Sequence, residues 1–203
     1  MPPVVTLIRG GPHGGLDRYP YSEIWCCDFE FYGADGDIPT VVCMVAKEAR
    51  SGQTIRLWKD QLSQLTEPPF DTGPDSLFVA YYASAEIGCF LALGWKLPER
   101  ILDLFTEFRA ETNGLVVPNG NSLLGALAYF GLSAMGGDEK TAMRDLVLTG
   151  GPWSRDERNA ILDYCQEDVE ALLVLLPAMA DRLVPEIDKR HARLGHALMR
   201  GRY

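Results

Sequence analysis

Two acids interrupt an apolar run near the start of the chain. In WCCDFEF, residues 25–31, Asp28 and Glu30 alternate with Phe29 and Phe31 and follow Trp25, Cys26 and Cys27. A strand sends alternate side chains to opposite faces, so the two carboxylates point the same way, ~7 Å apart along the chain. At that spacing they repel unless a bound cation, a proton or a basic partner neutralises them. A second pair lies far downstream, in ILDYCQEDVEALL (161–173), where Tyr164 and Asp168 are four residues apart. On a helix such residues project from nearly the same side. Ile161, Leu162, Cys165, Val169, Leu172 and Leu173 give that helix an apolar face. Packed on a sheet, it can bring a phenol and a carboxylate to one site.

The elements that must position these groups follow from local pattern. EIWCCDFEF (23–31), TVVCMVAKEA (40–49) and QTIRLW (53–58) read as three strands, the last two joined by a turn at Ser51-Gly52, which predicts an antiparallel meander. DSLFVAYY (75–82) is a fourth strand and RILDL (100–104) a short fifth. Between them SAEIGCFLALGW (84–95) reads as a helix with Ser84 as N-cap. NSLLGALAYFG (121–131) and DEKTAMRDLVLTGG (138–151) are helices ended by glycines. Ser154 and Glu157 form a capping-box pattern that opens the long helix, which Pro177 kinks or ends, and a last helix starts near Pro185. Strands, then alternating α and β, then helices predict an α/β fold, a mixed sheet with helices packed on it.

The chain of 203 residues suits one domain. No apolar run reaches the ~18 residues of a membrane span, and the N-terminus lacks the layout of a signal peptide. Five cysteines without CxxC or zinc-like spacing read as buried reduced thiols of a cytoplasmic protein. A net charge of −9 argues against tight, sequence-independent binding of a nucleic-acid backbone by this chain alone. It does not argue against an enzyme acting on phosphates, because metal-binding acids contribute to the count.

DxE on a first strand and YxxxD on a late helix resemble the DEDD superfamily of 3′–5′ exonucleases, in its tyrosine branch. The segment VAYYASAEIGCFLALGWKLPERILDLFTEF is similar to the second exonuclease motif of family A DNA polymerases. There an acid opens the helix after a strand, and a second strand ending in aspartate follows; here these are Glu86 and Asp103. The family usually has aspartate at the first of these positions. The resemblance covers roughly residues 23–181 and leaves a lead segment, 1–22, and a C-terminal helical segment, 182–203. It implies an RNase H-like mixed five-stranded sheet flanked by α-helices and phosphodiester hydrolysis with two divalent ions, Mg²⁺ or Mn²⁺. By resemblance, Asp28 bridges both metals, and Glu30 and Asp168 hold the one that activates water. Glu86 holds the second, and Tyr164 orients the attacking water.

The expected function is thus removal of nucleoside monophosphates from a DNA 3′ end, as the proofreading domain of a family A DNA polymerase. One alternative is an RNase D-like 3′ exoribonuclease; another is an inactive exonuclease-like module that binds or scaffolds a polymerase. Asp103 has a second reading as a helix cap, and Lys140 and Arg144 read equally as phosphate contacts or as partners of acids. The terminal stretch PEIDKRHARLGHALMRGRY carries five Lys and Arg against two acids on an amphipathic pattern. It predicts a connection to a polymerase domain that supplies DNA affinity.

Overall fold

An apolar run that alternates with acids only from Asp28 on makes the central strand. In the computed structural model, which describes residues 15–34, 36–132 and 137–183 without the side chains of 137–140 and 181–183, β1 (Glu23–Tyr32) pairs on both edges. In chain order follow β2 (Thr40–Glu48), β3 (Thr54–Trp58), α1 (Lys59–Leu62), β4 (Ser76–Ala80), α2 (Ser84–Ala92), β5 (Ile101–Asp103), α3 (Leu104–Glu111), α4 (Leu123–Tyr129), α5 (Gly137–Leu148) and α6 (Arg155–Leu183). The sheet order is β3-β2-β1-β4-β5, with the expected antiparallel meander on one side and parallel β4 and β5 on the other.

Parity along β1 divides the core. Ile24 and Cys26 pack with Leu77, Val79, Ile161, Cys165, Val169, Leu172 and Leu176 on the α6 face. Trp25, Cys27 and Phe29 pack with Met44, Phe78, Phe90 and Leu62 on the α1–α2 face. Burial of each such aliphatic or aromatic side chain is worth ~1.5–3 kcal/mol, which fixes the strand's register against both layers. The same parity sends Asp28 and Glu30 to the α6 face.

Expected helix boundaries differ at several ends, for example where α2 stops at Ala92, and two of the differences have a clear cause. Ser84 is the first residue of α2, not its cap; the N-cap is Ala83, with no side-chain cap. The chain leaves β4 at Ala80 and turns through Tyr82 at φ 72°, so the helix begins one residue early. Pro177 does not end α6, which runs through it to Leu183. Proline removes one helical donor, but Leu172, Leu175, Leu176, Met179 and Ala180 are buried on both sides of it and hold the helix to the sheet. Gly15 lies against the proline, with only 3.0 Å between Pro177 Cβ and the position a Cβ would take on Gly15. The Ser154–Glu157 capping box forms as expected: Ser154 N–H donates to Glu157 Oε2 at 2.7 Å and Glu157 N–H to Ser154 Oγ at 3.3 Å. Residues 1–14, the Lys140 side chain and the helix expected from Pro185 lie outside the described residues.

Candidate active site

Strand lengths create the site. β1 has ten residues and β4 five, and their parallel pairing stops at Cys26 with Val79. Asp28 and Glu30 therefore extend past the point where β4 gives way to the turn into α2. Open α/β sheets carry their sites at this carboxyl end of parallel strands, where the strand order reverses. On the other edge β1 pairs with β2 to Glu30 opposite Cys43; the register then shifts, and Phe31 faces Val41. Such a bulge re-aims side chains and is often found beside active sites.

α6 supplies the opposite wall. Ile161, Cys165 and Val169 are buried against the sheet, which leaves Tyr164 and Asp168 half-buried at the edge of that face. The Cys165 thiol donates to the Asp28 carbonyl at 3.3 Å and fixes the helix on β1 at the level of the acids. Sγ of Cys165 and carboxylate oxygens of Asp28 and Glu30 all lie within 4.8 Å of one another. The sequence pattern alone places Cys165 on the apolar face. The available signal was its position between Tyr164 and Asp168. Burial pushes its thiol well above the ordinary range, so it offers a proton, not a thiolate.

Glu86 enters from the first turn of α2 and is 3% exposed. Burial first, then the Asp28 charge, holds its carboxyl well above the usual glutamate range; Asp103 and Glu30 add to the effect. Its Oε2 has no hydrogen-bond partner among the described residues. Burial, then the charges of Asp168, Glu30 and Asp28, likewise raises the Tyr164 phenol above its ordinary range. Asp28 and Glu30 thus lie within electrostatic reach of Glu86, and also of Tyr164, which Asp168 reaches as well. Asp103 has its oxygens occupied instead. Oδ1 accepts from the N–H groups of Phe105 (3.0 Å), Thr106 (3.3 Å) and Tyr82 (3.0 Å), and Oδ2 from the Thr106 hydroxyl (2.9 Å). It is the N-cap of α3. Arg144 is exposed on α5.

A hard divalent cation fits this donor set. The acids supply several oxygens, the Cys165 sulfur keeps its proton, and a buried carboxylate oxygen of Glu86 is left to be satisfied. Like charges so close are stable together only when a cation or protons neutralise them.

A mixed sheet of this order, with helices on both faces and acids at the carboxyl end of its central strand, is the RNase H-like α/β fold found in nucleases. Among solved structures, the apo form of a nuclease superposes with TM-score 0.55 at 15% identity, over 92% of this chain and 83% of that one. Escherichia coli RNase D, an exoribonuclease involved in structured RNA processing, superposes with TM-score 0.51 at 15% identity, over 95% of this chain and 48% of RNase D. No protein-family model and no curated sequence matches the chain. Among the described residues, no helix is long and apolar enough to cross a membrane.

Proposed function

We propose that the chain is a metal-dependent 3′–5′ exonuclease that releases nucleoside monophosphates from a single-stranded or frayed nucleic-acid end. The observation that carries this reading is Glu86, a buried carboxylate with an unpartnered oxygen, within electrostatic reach of Asp28 and Glu30 on a fold shared with solved nucleases. Two divalent ions, Mg²⁺ or Mn²⁺, held by Asp28, Glu30, Glu86 and Asp168, supply charge neutralisation and water activation when bound. Tyr164 keeps its proton at neutral pH, because burial and its acidic neighbours raise the phenol. It therefore orients the attacking water by a hydrogen bond and does not deprotonate it. Glu30 and Asp168 serve the water side, Glu86 the leaving-oxygen side, and Asp28 both. Cys165 holds α6 at the spacing these roles require.

The substrate sugar separates two forms of this reading. The motif that contains Glu86 and Asp103 supports DNA, with proofreading beside a family A polymerase domain. The likeness to RNase D supports RNA as the substrate. End-labelled single strands of DNA and RNA, each with Mg²⁺, Mn²⁺ or EDTA, test both. A ladder shortening from the 3′ end, abolished by EDTA, is the expected result. Intact strands of both kinds with either metal would sink the nuclease reading. A chain of net charge −9 should also act distributively and lose activity steeply with salt when no partner supplies affinity.

A further inference from the structure

Four residues before Glu86, the backbone does something costly. Tyr82 sits at φ 72°, the only non-glycine at positive φ among the described residues. Side chains other than glycine and the short polar ones rarely adopt that conformation, and glycine would adopt it freely. In this conformation the Tyr82 N–H donates to Oδ1 of Asp103, itself 5% exposed, at 3.0 Å. The ring so placed is not used for the core. Tyr82 is 53% exposed and touches Phe105 edge to face, with centroids 5.0 Å apart and planes at 82°. One turn along α3, the exposed Arg109 lies over Phe105, its guanidinium carbon 5.8 Å from the ring centroid. Arg109 makes no ion pair among the described residues.

We propose that Tyr82, backed by Phe105, is the platform on which a base of the bound single strand stacks beside the carboxylates, and that Arg109 takes a backbone phosphate of the same strand. An exposed aromatic next to a cation is the general means by which proteins hold a single strand without reading its sequence. In an acidic chain this surface also offsets the repulsion between the strand and the cluster around Asp28. Tyr82 is then a positioning residue: it changes where the strand lies, not the groups that touch the reacting phosphate. The inference rests on the exonuclease reading.

Tyr82→Gly tests it, because glycine relieves the strained backbone while removing the ring. The variant should melt no lower than wild type. Its KM for a short single strand should rise about 10-fold, with kcat little changed. With Ca²⁺ in place of the supporting metal, a 2-aminopurine near the 3′ end should be quenched by wild type and by Tyr82→Trp but not by Tyr82→Gly. Arg109→Gln should lower the slope of log affinity against log salt by about 0.7. Unchanged KM and unchanged quenching in Tyr82→Gly would overturn the proposal while leaving the nuclease reading intact. A wild-type chain that degrades no strand, yet loses 2-aminopurine quenching on Tyr82→Gly, would uphold the platform and remove the nuclease.

Discussion

The two strands parallel to β1 each hand over to a helix through a buried acid, and the two acids are in opposite states. Glu86, after β4, is 3% exposed; Asp103, at the end of β5, is 5% exposed. Burial is the largest cause of a raised carboxyl in both. Asp103 collects hydrogen bonds from three backbone N–H groups and one hydroxyl, so its charge serves the start of α3 and the turn at Tyr82. Glu86 has an oxygen with no partner among the described residues, and α2 starts without a side-chain cap. Equal burial therefore hides a difference in satisfaction. An acid that the fold satisfies is structural, whereas the oxygen left unpartnered on Glu86 is what the proposed metal site would use.

The largest expected effects lie in the half-buried acids of the proposed metal site. Asp28→Ala and Asp168→Ala should each lower the hydrolysis rate by about 10³-fold or more, because each removes a ligand where transition-state charge must be neutralised. Neither should lower the melting temperature of the metal-free protein, since each relieves repulsion. Circular dichroism and a 3′-end release assay measure the two sides. A wild-type rate in either variant would undo the metal-site assignment, and with it the reason for treating Glu86 as different.

Glu86→Gln keeps the shape and removes the charge. Its rate should fall about 10²-fold, and Glu86→Asp should keep measurable activity, as the shorter acid usual in the resembling family still offers oxygens. Asp103→Ala should behave in the reverse way. Loss of the cap and of a buried acceptor should cost ~2–3 kcal/mol of stability, read by urea unfolding, while the folded fraction keeps most of its activity. If Asp103→Ala left stability untouched, or Glu86→Gln left the rate untouched, the contrast between the two junctions would fail.

How far the contrast was legible beforehand depends on the kind of signal. β1 and α6 were legible because alternation and 3.6-residue spacing are local, and Asp28, Glu30, Tyr164 and Asp168 ride on them. The sequence offered two readings of Asp103: its cap bonds to Phe105 and Thr106 are local, but its bond to the distant Tyr82 exists only after β4 and β5 pair. α3 was legible only through the reading of Asp103 as a helix cap, because LFTEFRAE has little apolar excess to mark its length. Pro177 does not end α6 as one of its two readings expects: burial of the flanking residues in the sheet layer outweighs a local propensity. Tyr82's conformation was invisible, because nothing in a tyrosine predicts positive φ.

The smallest expected effect is the dependence of stability on pH, and it separates the two acids most cleanly. The Glu86 carboxyl is held above its ordinary 4.5, by burial and then by Asp28. Above that pH the unfolded chain gives up a proton that the folded chain retains. The folded state then binds more protons than the unfolded one, so this group's contribution falls as pH rises, until its elevated folded value is passed. Asp103, raised from 3.8 by burial, slopes the same way, whereas Glu157, held below 4.5 by Ser154, loses its contribution as pH falls. Measuring wild type against Glu86→Gln at each pH cancels the shared slopes of the other groups. The variant's advantage in melting temperature should be small near pH 4.5 and widen toward neutrality in EDTA. A cation that takes Glu86 as a ligand removes the cost of its charge, so saturating Mn²⁺ should raise wild type more than the variant and narrow the gap. A gap that ignores both pH and Mn²⁺ would mean that the charge on Glu86 is already satisfied within the fold, and that Glu86 and Asp103 are the same kind of residue after all.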